Sequence, residues 1–221
     1  MKFALYVTFL SLYSLISVIH LFFCYRKMDL ARRITKPLIF ISLFLATLFF
    51  APQFPLIYVA CLLSAIGDIL MIYRDNMIIF ILAGFSFIAE HILNMVSMIN
   101  LLSFPFPWWG YLIVMIFPLI CALAGYFISK KNPIFFLTMG FFSFHFINIV
   151  FAFMLIYAHL FLYGTLIYAG YLFYILSDYL IYHYTFIKKE KNEHFFVMLT
   201  YIIAQTLILI PLMFADFFVL A

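Results

Sequence analysis

Two aspartates occupy positions where a charged side chain is unexpected. Asp68 lies within the apolar run Ile57–Tyr73. Asp178 lies within the apolar run Leu160–Phe186. A carboxylate inside a membrane-spanning helix costs about 2.5–3.5 kcal/mol on insertion scales, so such residues usually have a function. The pair predicts a membrane enzyme that uses acid–base chemistry, with a proton-coupled transporter as the alternative.

The chemistry that two such carboxyl groups can perform follows from their environment. When two carboxyl groups share one low-dielectric site, they do not both ionise readily. One is therefore expected to stay protonated while the other is an anion. The acid can donate a proton near neutral pH while its partner stabilises positive charge. This division of roles suits acid-catalysed hydrolysis through a cationic intermediate. The sequence has no nucleophile elbow, His-Glu-x-x-His zinc motif or phosphate-binding glycine loop, so no metal and no cofactor is expected.

The composition restricts the class of protein that could carry these residues. Of 221 residues, 69% are hydrophobic and 9% are charged, with a mean hydropathy of +1.23. Soluble domains have about 25% charged residues, so a water-soluble fold is excluded. The net charge of +4 does not indicate a nucleic-acid partner, because the basic residues lie in short loops. The three cysteines form no disulfide framework and no metal spacing.

Apolar runs separated by charge or proline predict an all-α polytopic membrane protein with eight transmembrane helices in a single domain, 1–221. At about 20 residues per span, this length leaves no room for a separate soluble domain. The predicted spans are 3–24, 37–52, 56–73, 77–99, 109–128, 134–156, 160–186 and 195–217.

The distribution of positive charge predicts the orientation of these spans. Lys2 precedes the first span, and all other basic residues fall in odd-numbered loops: Arg26, Lys27, Arg32, Arg33, Lys36, Arg74, Lys130, Lys131, Lys188, Lys189 and Lys191. Because basic loops stay in the cytoplasm, both termini are expected outside it, and a bacterial inner membrane is the expected location. The oligomeric state is left open.

A parallel repeat of four plus four helices is a further hypothesis. Asp68 and Asp178 are about half the chain apart, on predicted helices three and seven, which run in the same direction. Glu90 on helix four and Gln205 on helix eight, each after an alanine, have a similar spacing.

Polar residues recur at helical spacing on five predicted helices. Lipid offers them no hydrogen-bond partner, so they should face one another around a polar interior or simply hold the helices together. The residues are Cys61, Ser64 and Asp68; Ser86, Glu90, Asn94 and Ser97; His145 and Asn148; Tyr168, Tyr171, Tyr174, Asp178 and Tyr182; Tyr201 and Gln205.

The two aspartates are expected at similar depth. At about 1.5 Å per residue, Asp68 lies roughly 8 Å and Asp178 roughly 12 Å inside the cytoplasmic ends of their helices. Glu90, His145 and Gln205 lie closer to the midplane. A lipid whose head group is near Lys36 would therefore place its glycerol beside the aspartates.

Five short segments follow one another along the predicted helices: Lys36-Pro37-Leu38 opening helix two, Ser64-Ala-Ile-Gly67-Asp68 in helix three, Gly84-Phe-Ser-Phe87-Ile-Ala-Glu-His91 in helix four, Ala169-Gly170-Tyr-Leu-Phe173-Tyr-Ile-Leu-Ser177-Asp178 in helix seven and Tyr201-Ile-Ile-Ala204-Gln205 in helix eight. This ordered set resembles the lysoplasmalogenase (YhhN-type) family of eight-helix membrane proteins. Asn94 stands where the family often has a tyrosine after the helix-four histidine, and Glu90 precedes that histidine. These two departures leave the role of helix four and the head-group preference open.

The resemblance implies hydrolysis of the vinyl-ether bond of lysoplasmalogens to a fatty aldehyde and glycerophosphoethanolamine or glycerophosphocholine. One of Asp68 and Asp178 would then be the general acid, and the other would stabilise the cation and orient water. Lys36 would hold the phosphate or organise the entrance. The predicted substrate-binding residues are Lys36, Ser64, Glu90, His91, Tyr174, Ser177, Tyr201 and Gln205, although His91 fits a packing role equally well. The expected partners are a lysophospholipid and the membrane lipid.

Three other functions use similar residues. An intramembrane aspartyl protease also has two membrane aspartates, but its Gly-x-Gly-Asp motif is absent because position 65 is alanine. A zinc hydrolase of the ceramidase kind would need three scattered histidines to converge. A transporter would use the same carboxylates as proton-binding sites.

Overall fold

The computed structural model describes residues 2–50, 55–73, 76–102, 107–128, 133–184, 188 and 190–219. This part of the chain forms eight α-helices and no β-strand. The helices are α1 (Lys2–Tyr25), α2 (Asp29–Phe50), α3 (Leu56–Met71), α4 (Met77–Asn100), α5 (Trp108–Ile128), α6 (Pro133–Tyr157), α7 (Phe161–Tyr182) and α8 (Glu193–Val219). The number of helices agrees with the number predicted from hydropathy.

Six of these helices are long and apolar enough to cross a membrane: α1, α4, α5, α6, α7 and α8. Their apolar residues face outward as well as inward, as the exposed Leu112, Leu119, Phe146 and Val150 illustrate. The other two helices differ for separate reasons. α3 is an apolar helix of only 16 residues, and α2 carries four charged residues in its first eight positions.

The start of α2 differs from the prediction. The apolar run begins at Pro37, but the helix begins at Asp29 and contains Pro37 in its interior. Hydropathy reports which residues tolerate lipid, whereas a helix continues wherever its backbone hydrogen bonds form. The charged first turns, in which Arg32 pairs with Asp29, therefore extend the helix beyond the apolar segment. Lys36 does not open the helix but lies in its third turn.

Several expectations fall partly or wholly outside the described residues. They concern the basic residues Arg74, Lys130, Lys131 and Lys189, and the ends of two predicted spans at 51–52 and 185–186. Within the described part, Cys24, Cys61 and Cys121 are all free thiols. Trp108 and Trp109 are exposed at the start of α5. The four-plus-four repeat stays a prediction.

The helices pack as a ring with one helix outside it. Each helix contacts the next around the order α1, α2, α3, α4, α6, α7, α8 and back to α1. α5 packs on α6, and α8 also reaches across the interior to α3 and α4. Hydrogen bonds fasten α8 on both sides: the Tyr13 and Thr206 hydroxyls are 2.6 Å apart, and Gln205 donates to Ser64 and Glu90. The polar face of α8 therefore meets the polar faces of α3 and α4.

Glycines set the distance between α7 and its neighbours α6 and α8. A Cβ atom on Gly164 would lie 2.7 Å from the backbone nitrogen of Ile156 and 2.8 Å from the carbonyl oxygen of Ala152. A Cβ atom on Gly170 would lie 3.0 Å from the carbonyl oxygen of Ala204. Small residues allow helix backbones to approach in this way. Because α7 also carries Asp178, these contacts position that carboxyl group.

Alanine at Gly164 or Gly170 is expected to destabilise the protein by about 1–3 kcal/mol, the usual result of adding volume to a packed interior. The obstructing atoms include backbone, which cannot rotate away as a side chain can. Gly84→Ala is the matched control, because nothing lies within 4 Å of the added Cβ atom. Thermal unfolding of the detergent-purified variants measures the effect. Equal midpoints for all three would contradict the close approach.

Candidate active site

Asp68 is a buried carboxyl group held by three helices. It lies on α3 with 1% of its side chain exposed. The ammonium group of Lys36 on α2 lies 3.0 Å from Asp68 Oδ1. The hydroxyl of Tyr201 on α8 donates to Asp68 Oδ2 over 3.3 Å. An ion pair and a hydrogen bond from a neutral hydroxyl thus occupy the two oxygens of this carboxylate.

Asp178 has a different kind of partner. Its Oδ2 lies 2.6 Å from Nε2 of His145 on α6, and the direction of this hydrogen bond depends on which group carries the proton. His145 is fully buried, whereas 17% of the Asp178 side chain is exposed. The two aspartates therefore differ, because one is paired with the amino group of a lysine and the other with an imidazole.

Both aspartates line one small cavity, which we call the aspartate cavity. Its polar wall consists of Lys36, Asp68, Tyr174, Ser177, Asp178 and Tyr201. Its volume is about 40 Å³. A water molecule occupies about 30 Å³ in the liquid, so the cavity has room for water between the two carboxyl groups.

A second, larger cavity adjoins the aspartate cavity and is called the basic vestibule. It has a volume of about 240 Å³ and shares Lys36, Met71, Ile181, Val197 and Met198 with the aspartate cavity. Its polar wall is formed by His20, Arg32, Arg33, Lys36 and His194. Lys36 thus stands at the boundary, since it touches the vestibule and pairs with Asp68.

A third cavity, the apolar cavity, adjoins the aspartate cavity elsewhere. It has a volume of about 110 Å³ and shares Met71, Phe87, Asp178 and Ile181 with it. The rest of its wall is provided by α4, α6 and α7, namely Phe80, Gly84, Ile88, Phe141, Phe142 and Tyr182. Asp178 is the charged residue of this wall within the described part of the chain. The three cavities together could accept a molecule with an anionic end and a hydrocarbon end.

Six of the ten predicted site residues line the aspartate cavity, namely Lys36, Asp68, Tyr174, Ser177, Asp178 and Tyr201. The other four lie behind it. Gln205 Nε2 is 2.8 Å from Glu90 Oε1 and 3.0 Å from Ser64 Oγ, and all three residues are fully buried. This cluster joins α3, α4 and α8. It meets the aspartate cavity through Gln205, whose amide nitrogen is 3.4 Å from the hydroxyls of Tyr174 and Tyr201.

His91 also lies behind the cavity wall. Neither ring nitrogen has a hydrogen-bond partner within the described structure. Its ring packs edge-on against Tyr174 and His145, with centroid separations of 4.6 Å in both cases. His91 thus contacts Tyr174, which lines the cavity, and His145, which is bonded to Asp178.

Two groups of residues at the site were missing from the predicted set. His145 stands on a predicted polar face of α6, but the sequence offers no sign that its partner is Asp178, which is 33 positions away. The vestibule residues Arg32 and Arg33 were attributed to membrane orientation, and the same charges also line a cavity. In both cases the sequence does not show which helices are neighbours in the fold.

The site has the chemistry of an acid–base pair. Where the structure describes the chain, no group of three histidine, cysteine or acidic residues is arranged to hold a metal ion. The reactive groups on the cavity wall are therefore two carboxyls, an ammonium and hydroxyls. These can donate, accept and relay protons, and they can stabilise a cation that forms between the carboxyls.

Comparison with known proteins identifies the family of this chain. A search of curated proteins and a search of solved structures each found no match. The family model for the YhhN family matches residues 31–212. This range contains every described residue that lines the aspartate cavity. The chain therefore belongs to the YhhN family, the family of lysoplasmalogenases.

Proposed function

We propose that this protein is a membrane hydrolase that cleaves the vinyl-ether bond of lysoplasmalogens to a fatty aldehyde and a glycerophospho head group. The observation that carries the proposal is the shared aspartate cavity, in which two differently paired carboxyl groups face the same small space. Membership of the YhhN family supports the same reaction.

The neighbouring cavities support a lysophospholipid as the substrate. The apolar cavity suits the alkenyl chain, and the basic vestibule suits the phosphate. A lipid bound in both would pass its vinyl ether through the aspartate cavity. A chain in the apolar cavity would also exclude bulk water, which strengthens the electrostatic interactions at the carboxyl groups.

The partners of the two aspartates support different roles for them in the proposed reaction. The Lys36 ammonium stabilises the anionic form of Asp68. In the described chain no lysine or arginine pairs with Asp178, so this group carries the proton and acts as the general acid. His145 then donates from Nε2 to Asp178 Oδ2 and keeps the acidic proton on the other oxygen. His145 is a positioning residue in this scheme.

The reaction proceeds in balanced steps. Asp178 transfers its proton to the β-carbon of the vinyl ether, the carbon–carbon double bond becomes single, and an oxocarbenium ion forms. Asp68 stabilises this cation and takes a proton from water as the water oxygen bonds to the cationic carbon. The resulting hemiacetal collapses: its hydroxyl proton returns to Asp178, the carbon–oxygen bond to glycerol breaks, and Asp68 protonates the leaving oxygen. Both carboxyl groups regain their starting states.

The proposal includes insertion of all eight helices in a membrane, with the basic odd-numbered loops in the cytoplasm and both termini outside. The basic vestibule would then open to the cytoplasm, because Arg32, Arg33 and Lys36 belong to the first of these loops or the helix that follows it. A bacterial inner membrane is the proposed location.

Asp68→Asn and Asp178→Asn are each expected to lower the rate of aldehyde release at least about 100-fold, the lower range for loss of a general acid or base. Release is measured with detergent-purified protein, a lysoplasmalogen and its ester-linked analogue. Glu190→Gln is the matched control, because Glu190 is an exposed acid that pairs with Lys188 away from the cavities. Thermal unfolding verifies that each variant is folded.

The same experiment separates hydrolysis from transport. Near-normal hydrolysis by both folded asparagine variants would refute the mechanism. No aldehyde from folded wild-type protein would refute the enzyme. Uptake driven by a pH gradient in proteoliposomes, without product, would then identify the aspartates as proton sites of a transporter.

His145→Phe is expected to reduce kcat about tenfold or more with little change in KM, because Asp178 loses the group that orients it. His145→Gln retains an N–H donor and should recover part of the rate. Steady-state kinetics with one lysoplasmalogen measures both constants. Equal rates for the glutamine and phenylalanine variants, at equal thermal stability, would argue against a positioning hydrogen bond.

Gly84→Leu is expected to narrow the range of chain lengths that the enzyme accepts. Gly84 lines the apolar cavity and has free space where a side chain would begin, so leucine should fill the cavity without displacing a helix. The value of kcat/KM should fall more for a long alkenyl chain than for a short one. Gly140→Ala is the control, because Gly140 lies outside the cavity beside Ala122. It should leave the ratio of kcat/KM between the long and the short alkenyl chain unchanged. A uniform loss at all chain lengths would contradict this use of the cavity.

A further inference from the structure

The charged residues in the described wall of the basic vestibule are all basic. Three basic residues, Arg32, Arg33 and Lys36, line it together with two histidines. No acidic residue and no phenylalanine, tyrosine or tryptophan is present in the described part of this wall. Arg32 and Arg33 are each neighbours of Lys36 on the helix surface, since residues three and four apart on a helix lie side by side.

The three cations are not equally available to a ligand. The ammonium group of Lys36 is bonded to Asp68 at 3.0 Å. Arg32 contacts Asp29, but its buried Nε atom has no hydrogen-bond partner among the described residues. Arg33 is exposed and forms no ion pair with any described residue. Two guanidinium groups therefore have donors free, and a guanidinium group matches the geometry of a phosphate.

The spacing also fits a glycerophospholipid. Arg32 and Arg33 lie about one helical turn, roughly 5.4 Å along the axis, from Lys36. Lys36 marks the boundary with the aspartate cavity. In the substrate, a three-carbon glycerol unit separates the phosphate from the vinyl-ether oxygen. A phosphate at the arginines would thus leave the vinyl ether near Asp68.

We propose that Arg32 and Arg33 form a subsite that binds the phosphate of the lysolipid and does not discriminate among the head groups attached to that phosphate. Recognition of an amine would need a carboxylate, and recognition of choline would need an aromatic cage. The described wall of the vestibule contains neither. Substrates with ethanolamine, choline or an unsubstituted phosphate are therefore used about equally. This inference rests on the proposed function, because it assigns the head-group end of that same site.

The test compares four substrates with the same alkenyl chain: the ethanolamine, choline and phosphomonoester forms, and 1-alkenylglycerol without phosphate. The three phosphate forms are expected to agree in kcat/KM within about threefold, and Arg33→Gln should raise their KM about tenfold, the effect of losing one moderate interaction. 1-Alkenylglycerol should be a poorer substrate that Arg33→Gln does not affect. Arg26→Gln is the matched control, because Arg26 is an exposed cation in the turn before α2 and lies outside the vestibule wall.

A binding measurement keeps this inference separate from the reaction. Calorimetry with the saturated 1-alkyl lysophospholipid, which has no vinyl ether to cleave, should show binding that Arg33→Gln weakens and Arg26→Gln does not. 1-Alkylglycerol should bind equally to all three proteins. If Arg33→Gln does not weaken binding of the alkyl lysophospholipid, the subsite is refuted even when the protein releases aldehyde. If that binding difference is found but no aldehyde is released, only the proposed reaction is refuted.

Two further outcomes would overturn the proposal. A preference of more than about tenfold between ethanolamine and choline forms would mean that the amine is recognised. Binding of inorganic phosphate that depends on Arg33, without any difference between the alkyl lysophospholipid and 1-alkylglycerol, would mean that the vestibule takes a free anion and not a lipid head group.

Discussion

The ion pair between Lys36 and Asp68 is the interaction on which the rest of the site depends. It joins α2 to α3 at a position where Asp68 is almost completely buried, and Tyr201 adds α8 to the same carboxylate. A buried charge that loses its partner costs about 3–5 kcal/mol, so the pair restricts how these helices can pack. Lys36 can reach Asp68 because α2 begins well before its apolar segment and carries the lysine inward from a charged first turn. The same side chain then separates the basic vestibule from the aspartate cavity.

The polar groups behind the cavity have a different task from those on its wall. Gln205, Glu90 and Ser64 form a buried hydrogen-bonded cluster that holds α8 against α3 and α4. A buried polar group that loses its partner costs about 1–3 kcal/mol, so each hydrogen bond of this cluster opposes separation of the three helices. Glycines bring α7 close to α6 and α8, which positions Asp178 against His145. The second aspartate is thus placed by close packing, and the first by charge.

The two aspartates also differ in the groups that they face. One carboxyl group faces an ammonium and the other an imidazole across a single small cavity, and the different roles proposed for them rest on this difference. The two cavities that adjoin the aspartate cavity differ in polarity. The basic vestibule is lined by cations, and the apolar cavity is lined mainly by phenylalanines and aliphatic residues. An amphiphile can enter such a site in only one orientation without burying charge in an apolar wall.

The amino-acid sequence alone determined the all-helical class, the number of helices found in the described chain, and Asp68, Asp178, Lys36 and Tyr201 as candidate site residues. Those features are local: hydropathy marks each apolar run, and helical periodicity places polar residues on one face of it. The tertiary structure alone decided that His145 meets Asp178, that Ser64, Glu90, His91 and Gln205 lie behind the cavity, and that Arg32 and Arg33 line a vestibule. Periodicity gives the direction in which a side chain points but not which helix lies opposite. That choice depends on close packing and ion pairing between segments far apart in the chain, such as α8 crossing the ring to reach α3 and α4.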